Sequence, residues 1–165
     1  MTRALFIICS FLLVTSGFAA DQSAVRVEPT NLQGPRVLEK QTETAVVRDY
    51  LEAWKSFDTA LDQNRAALLD ADFVGTAKDK LVNTIQQQSK IGIHTRYVDR
   101  SHDIRIVFYS PEGLSVQLVD QVEYDMQVFD HDKPLATQRV RARYVSVLTP
   151  SEVRWRVRVL QAVPE

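Results

Sequence analysis

Apolar residues recur at three- and four-residue steps through Val47, Tyr50, Leu51, Trp54, Phe57 and Leu61. That spacing lines one face of an α-helix. Thr42 or Thr44 is placed to cap its start. Arg48, Glu52, Lys55 and Asp62 fall mostly on the opposite face. Ala66, Leu69 and Phe73 predict a continuation or a second short helix, which Gly75 breaks. A further helix, capped by Thr76, carries Ala77, Leu81 and Ile85 on one face and ends at Gly92.

Past residue 92 the period changes to two. Ile104, Ile106 and Phe108 alternate with Arg105, Val107 and Tyr109, and Ser110-Pro111-Glu112-Gly113 makes a turn. Val116, Leu118, Val122, Tyr124, Met126 and Val128 share one face of a long strand interrupted by Asp120. Residues 130–134 turn the chain again. Val140, Ala142 and Tyr144 face one way in the next strand, and Val153, Trp155, Val157 and Val159 one way in the last. Residues 93–98 are a candidate for one more short strand. Helices first and strands second predict an α+β domain, with N-terminal helices packed on a curved antiparallel sheet. The aromatics Tyr50, Trp54, Phe57, Phe73, Phe108, Tyr124 and Trp155 are all predicted to face the gap between the two layers.

The N-terminus reads differently. Arg3, an apolar run from Ala4 to Val14 and small residues at Gly17, Ala19 and Ala20 match a secretory signal peptide, with cleavage expected after Ala19. An uncleaved anchor and acylation at Cys9 are the rival readings. Residues 1–19 are thus expected to be a leader, 20–41 an extended or disordered tether, and 42–163 the domain. The expected location is the periplasm or the exterior, with no membrane span once the leader is gone.

Composition narrows the function. Cys9 is the single cysteine of the chain. A mature chain without it has no disulfide, thiolate nucleophile or cysteine metal ligand. A formal net charge of −1 gives no global case for nucleic acid. The distribution of charge says more. Arg139, Arg141 and Arg143 alternate in one strand, as do Arg154, Arg156 and Arg158 in the next. The polar face of the preceding strand holds Glu123 and Asp125, which a hairpin would set opposite two of the first three arginines. A tight turn at Thr149-Pro150 would place Arg141 near Arg158 and Arg143 near Arg156. The six arginines are read either as a solvated sheet face or as a face for an anion or an acidic partner.

Candidate chemistry is sparse. His94, His102 and His131 show no metal-ligand spacing, so no metal or cofactor is expected. There is no nucleophile elbow and no phosphate loop. Asp120 is the candidate base, since parity puts it on the apolar side of its strand. A bulge that turns its side chain out to water is the reading the pattern favours. Tyr50, Trp54, Phe73, Tyr124 and Trp155 are the candidate lining of an apolar pocket.

A long first helix carrying Tyr50-Leu51-Glu52-Ala53-Trp54, with Asp58 after it and a curved sheet beyond, resembles the NTF2-like superfamily, which includes SnoaL-like and ketosteroid-isomerase-like proteins. The resemblance implies a cone with a pocket between helices and sheet, and dimerisation through the outer sheet face. The expectation is an exported, non-enzymatic domain that binds a small apolar ligand or an envelope protein. The alternatives are an isomerase or lyase using a pocket carboxylate, and an assembly factor of an envelope or secretion machine acting through the arginine face.

Overall fold

The computed structural model describes residues 23–30, 32 and 36–163. The leader, its cleavage site and Cys9 lie outside these residues. Two helices, α1 (Lys40–Asp62) and α2 (Gly75–Lys90), are joined by a 3₁₀ turn at Ala66–Leu69. They pack on one face of a five-stranded sheet in the order β1 (Ala24–Val27), β2 (Ile93–Tyr109), β3 (Val116–Asp130), β4 (Lys133–Pro150), β5 (Trp155–Val163). Within the stretch read as a tether, β1 is thus a strand, and it runs parallel to β2. The sheet is mixed rather than wholly antiparallel. No helix of the described residues is long and apolar enough to cross a membrane.

α1 begins four residues before Thr44, on Glu39, and neither expected threonine caps it. Thr44 instead donates back to the Lys40 carbonyl. α2 starts at Gly75, whose φ of +55° only glycine adopts freely. Thr76 does not cap that helix either; its hydroxyl donates to the Arg158 carbonyl and ties α2 to β5. Residues 93–98 are the first third of β2, not a strand of their own.

Between the layers lies one core of Val46, Tyr50, Trp54, Phe57, Leu61, Phe73, Ile85, Ile104, Leu118, Val122, Leu148 and their neighbours. Each such side chain contributes roughly 1.5–3 kcal/mol on burial. The helix that carries more of this core than any other element also carries carboxylates that seal the sheet. Asp49 accepts from the Trp155 backbone N–H at 2.8 Å, and Asp58 from that of Tyr97 at 2.7 Å. Buried backbone donors need partners. Here helix side chains supply them where neighbouring strands do not.

Bulges change which residues face the core. A register shift between Ile106 and Phe108 pairs Phe108 with Gln117, so Phe108 is 48% exposed and not part of the interlayer aromatic set. A second shift at Val147/Leu148 pairs Val157 with buried Leu148 but Val159 with Val147. Val159 therefore turns to the outer face. Val153 lies in the turn before β5 and is 82% exposed, not in a strand.

Candidate functional site

The middle of β3 passes directly beneath α1. Asp120 pairs in regular register with Ile104 on β2 and Tyr144 on β4, with no bulge. The expected escape of its side chain to water does not occur, because the unbroken pleat points it at the helix. It is 0% exposed. Its Oδ2 accepts from the Tyr50 hydroxyl at 2.9 Å and from His102 Nδ1 at 2.7 Å. The other ring nitrogen, His102 Nε2, stands 3.6 Å from Asp99 Oδ2, and Trp54 Nε1–H donates to Asp99 Oδ1 at 2.7 Å. Trp54 also packs edge-on to the imidazole, with ring centroids 5.3 Å apart. The result is an imidazole clamped between two carboxylates, each held by an aromatic donor from α1.

The electrostatics follow from that clamp. Burial opposes a charge on His102, but the hydrogen bonds and charges of Asp120 and Asp99 outweigh it and bring its pKa up to about 9. Burial pushes the Tyr50 phenol well above its ordinary value, and the adjacent Asp120 charge adds to this. Asp120 Oδ1 and the Ser146 hydroxyl, both fully buried, have no hydrogen-bond partner among the described residues. Next to this network Tyr124 stacks on Tyr97 and its hydroxyl lies 3.3 Å from that of Tyr144.

These side chains fill the space that a pocket between the layers would need. Trp54 alone touches the rings of Tyr50, Phe57, His102, Tyr124 and Tyr144. Among the described residues, a cleft of about 410 Å³ lies open at the edge, between α1 and β1. Leu51, Trp54 and Val25 give it apolar walls, Asp99 and His102 form its floor, and Arg48, Glu52 and Lys55 line it too. Of the five expected pocket residues, the fold gathers Tyr50, Trp54 and Tyr124. Of these, Trp54 reaches the cleft. Phe73 packs in the core where its backbone bridges Val157, and Trp155 is half-buried at the start of β5. Sequence spacing does not reveal Asp99 and His102 as a site. A bulge between Asp99 and Ser101 brings both to the inner face, three residues apart, which strict alternation forbids. Asp103, adjacent to His102 in the chain, lies on the other face.

The arginines divide. The register sets Glu123 opposite Arg141 and Asp125 opposite Arg139, as the spacing predicts. Arg141 Nε donates to Glu123 at 3.0 Å, and Arg139 Nε to Asp125 at 2.9 Å. Arg100 first, then Arg139, hold Asp125 down to about 2. The second set does not stack on the first. β5 pairs Arg156 with Thr149 and Val163 with Arg143, so the expected Arg141–Arg158 and Arg143–Arg156 neighbours do not form. Arg154 bonds buried Asp72 at 2.6 Å, and Arg156 caps the carbonyls of Asp70 and Phe73. Both are fasteners between β5 and the helical layer.

No protein-family model and no curated protein matches the chain. Solved structures do. The intermembrane space region of the chloroplast protein ARC6 superposes with a TM-score of 0.62 at 12% identity, over 79% of this chain and 100% of that one. A putative scytalone dehydratase from Novosphingobium aromaticivorans gives 0.53 at 15% identity, over 76% and 89%. Aln2 from a Streptomyces species gives 0.50 at 12%, over 77% and 93%. The chain has the NTF2-like fold. Its structural neighbours include enzymes and non-enzymatic domains, so the likeness fixes the architecture and not the role.

Proposed function

We propose that this chain is an exported, non-catalytic binding domain that holds a small apolar or amphipathic molecule against Trp54 in the cleft between α1 and β1. The observation that carries this is the closed interior. Asp120, the carboxylate an enzyme of this plan would use, is sealed behind Tyr50, Trp54 and His102, while Leu51 and Val25 leave apolar surface facing the cleft and buried Trp54 borders it. A buried, bonded network of this kind gives the cleft a rigid floor. The leader-like first twenty residues support export.

A W155F variant leaves Trp54 as the sole tryptophan reporter. Titration with 1-anilinonaphthalene-8-sulfonate should quench it saturably, one molecule per chain. L51E, which puts a charge in the cleft wall without touching the network, should abolish the effect at unchanged circular dichroism. No saturable quenching, or equal quenching in L51E, would refute the proposal.

One observation favours a second reading. His102 lines the cleft, is protonated at neutral pH and is oriented by Asp120. An imidazolium so placed can serve as a general acid in an elimination or isomerisation. Under this reading H102Q would abolish turnover of a cleft-bound substrate, and no turnover by the unaltered chain would remove the reading.

A further inference from the structure

We infer that the outer edge of β4, over residues 136–142, is a docking site for an acidic extended segment of a partner protein, which would add to the sheet as a further strand in line with β5. This stands apart from the cleft. β4 is paired with β3 along its length, but β5 pairs with it only from Arg143 to Pro150. From Lys133 to Ala142 the side of β4 away from β3 meets no strand among the described residues, and its backbone donors and acceptors lie open. An open edge of this kind is the standard template for strand addition. At the tip, Pro134 and the extra residue Leu135 break the register, so the usable edge begins at Ala136.

The charge along this edge selects the occupant. Residues 133–150 contain Lys133, Arg139, Arg141 and Arg143 and no acid. Side chains of Arg139 and Arg141 are 57% and 77% exposed, whereas their partners Asp125 and Glu123 sit one strand further in and are largely covered. Both arginines meet those acids through Nε alone. The two terminal nitrogens of each guanidinium stay available for a second, two-pronged carboxylate contact. On the inner face the same stretch offers Val140 and Ala142, half-buried against the core. The fitting segment therefore alternates Glu or Asp, set beside Arg139 and Arg141, with apolar residues that extend the inner face. A second copy of the chain is the less complementary occupant. Its own edge carries no acid to meet Arg139 and Arg141, and registers that set them opposite one another place like charges together, which is destabilising.

The test uses the full chain and a blocked heptapeptide alternating Glu and Val, with a Lys/Val peptide as control. Amide exchange read by NMR should slow at alternate residues within 136–142 in the presence of the acidic peptide only. Affinity should fall as salt rises, and R139Q/R141Q should weaken it at least tenfold. If the double variant fails to fold, R141Q alone should weaken it severalfold. Equal binding of both peptides, protection elsewhere, no protection, undiminished binding by the variants, or self-association through this edge without peptide would each overturn the assignment. None of these readouts involves Trp54 or the cleft, so the two proposals fail separately.

Discussion

Replacing His102 with glutamine removes the charge that sits between Asp120 and Asp99, and the structure sets both the size and the pH dependence of the effect. The folded chain raises the imidazole from 6.5 to about 9. Each pH unit between those values corresponds to about 1.4 kcal/mol, so protonated His102 contributes on the order of 3 kcal/mol to folding. The sign follows from the direction. A group whose folded pKa is raised contributes fully below its unfolded value, here 6.5, and loses that contribution as pH rises through about 9. At pH 6 the H102Q chain also leaves two covered carboxylates without their cation. Breaking a buried pair costs about 3–5 kcal/mol, and the Tyr50 and Trp54 donors that remain keep the loss toward the lower figure.

Urea unfolding of both proteins at pH 6, 7.5, 9 and 10 reads this directly. H102Q should be less stable by about 3 kcal/mol at pH 6, and the gap should close by a similar amount at pH 10. Lysine and tyrosine titrations near pH 10 are common to both proteins and cancel in the difference. NMR of the His102 ring gives the pKa itself. D120N should lower it more than D99N, since the Asp120 bond is 2.7 Å and the Asp99 contact 3.6 Å. A gap that stays constant from pH 6 to 10, or a ring that titrates at or below 6.5, would refute the reasoning.

Burial, joined by the charges of Asp99 and Asp62, raises Asp58 to about 6, against the opposing Tyr97 N–H bond. Its stabilising effect is therefore full below 3.8 and lost as pH rises through 6. D58N, which keeps an acceptor for Tyr97, should be more stable by about 1–2 kcal/mol at pH 7.5, after allowance for solvent screening, and equal near pH 4; a less stable variant at pH 7.5 contradicts this. Val157 is 1% exposed and Val159 faces outward beyond the bulge. V157D should cost at least about 3 kcal/mol or abolish folding, and V159D about 1. Equal melting temperatures for the two would show that the register does not shift there.

Periodicity carried the layered fold because each helix and each strand buries one face. The steps through Val47, Tyr50, Trp54, Phe57 and Leu61 mark the buried side of α1, and the alternation through Val116, Leu118 and Val122 marks that of β3. It failed wherever one residue is added to a strand. Phe108, Val159 and the Asp99–His102 pair are all misplaced by bulges, which leave no trace in a hydrophobic pattern. It also failed where a polar side chain serves another element's backbone. Asp49 and Asp58 look like solvated helix positions, yet they satisfy strand N–H groups. β1 was hidden because four residues without aromatics gain little from burial alone; backbone pairing to Ser101–Ile104 holds them.

Asp120 shows the limit most clearly. A lone acid on the apolar parity of a strand is, from pattern alone, either a displaced side chain or a buried charge, and displacement is the less costly of the two. Deciding between them requires knowing that a tyrosine on a helix 70 residues earlier and a histidine on the neighbouring strand both arrive at one of its oxygens. Those donors are what make the buried charge tolerable. The same convergence packs the interior around Trp54 and sets Asp99 and His102 against the cleft between α1 and β1. A residue's role here is set by the tertiary partners that three bulges and one helix deliver to it.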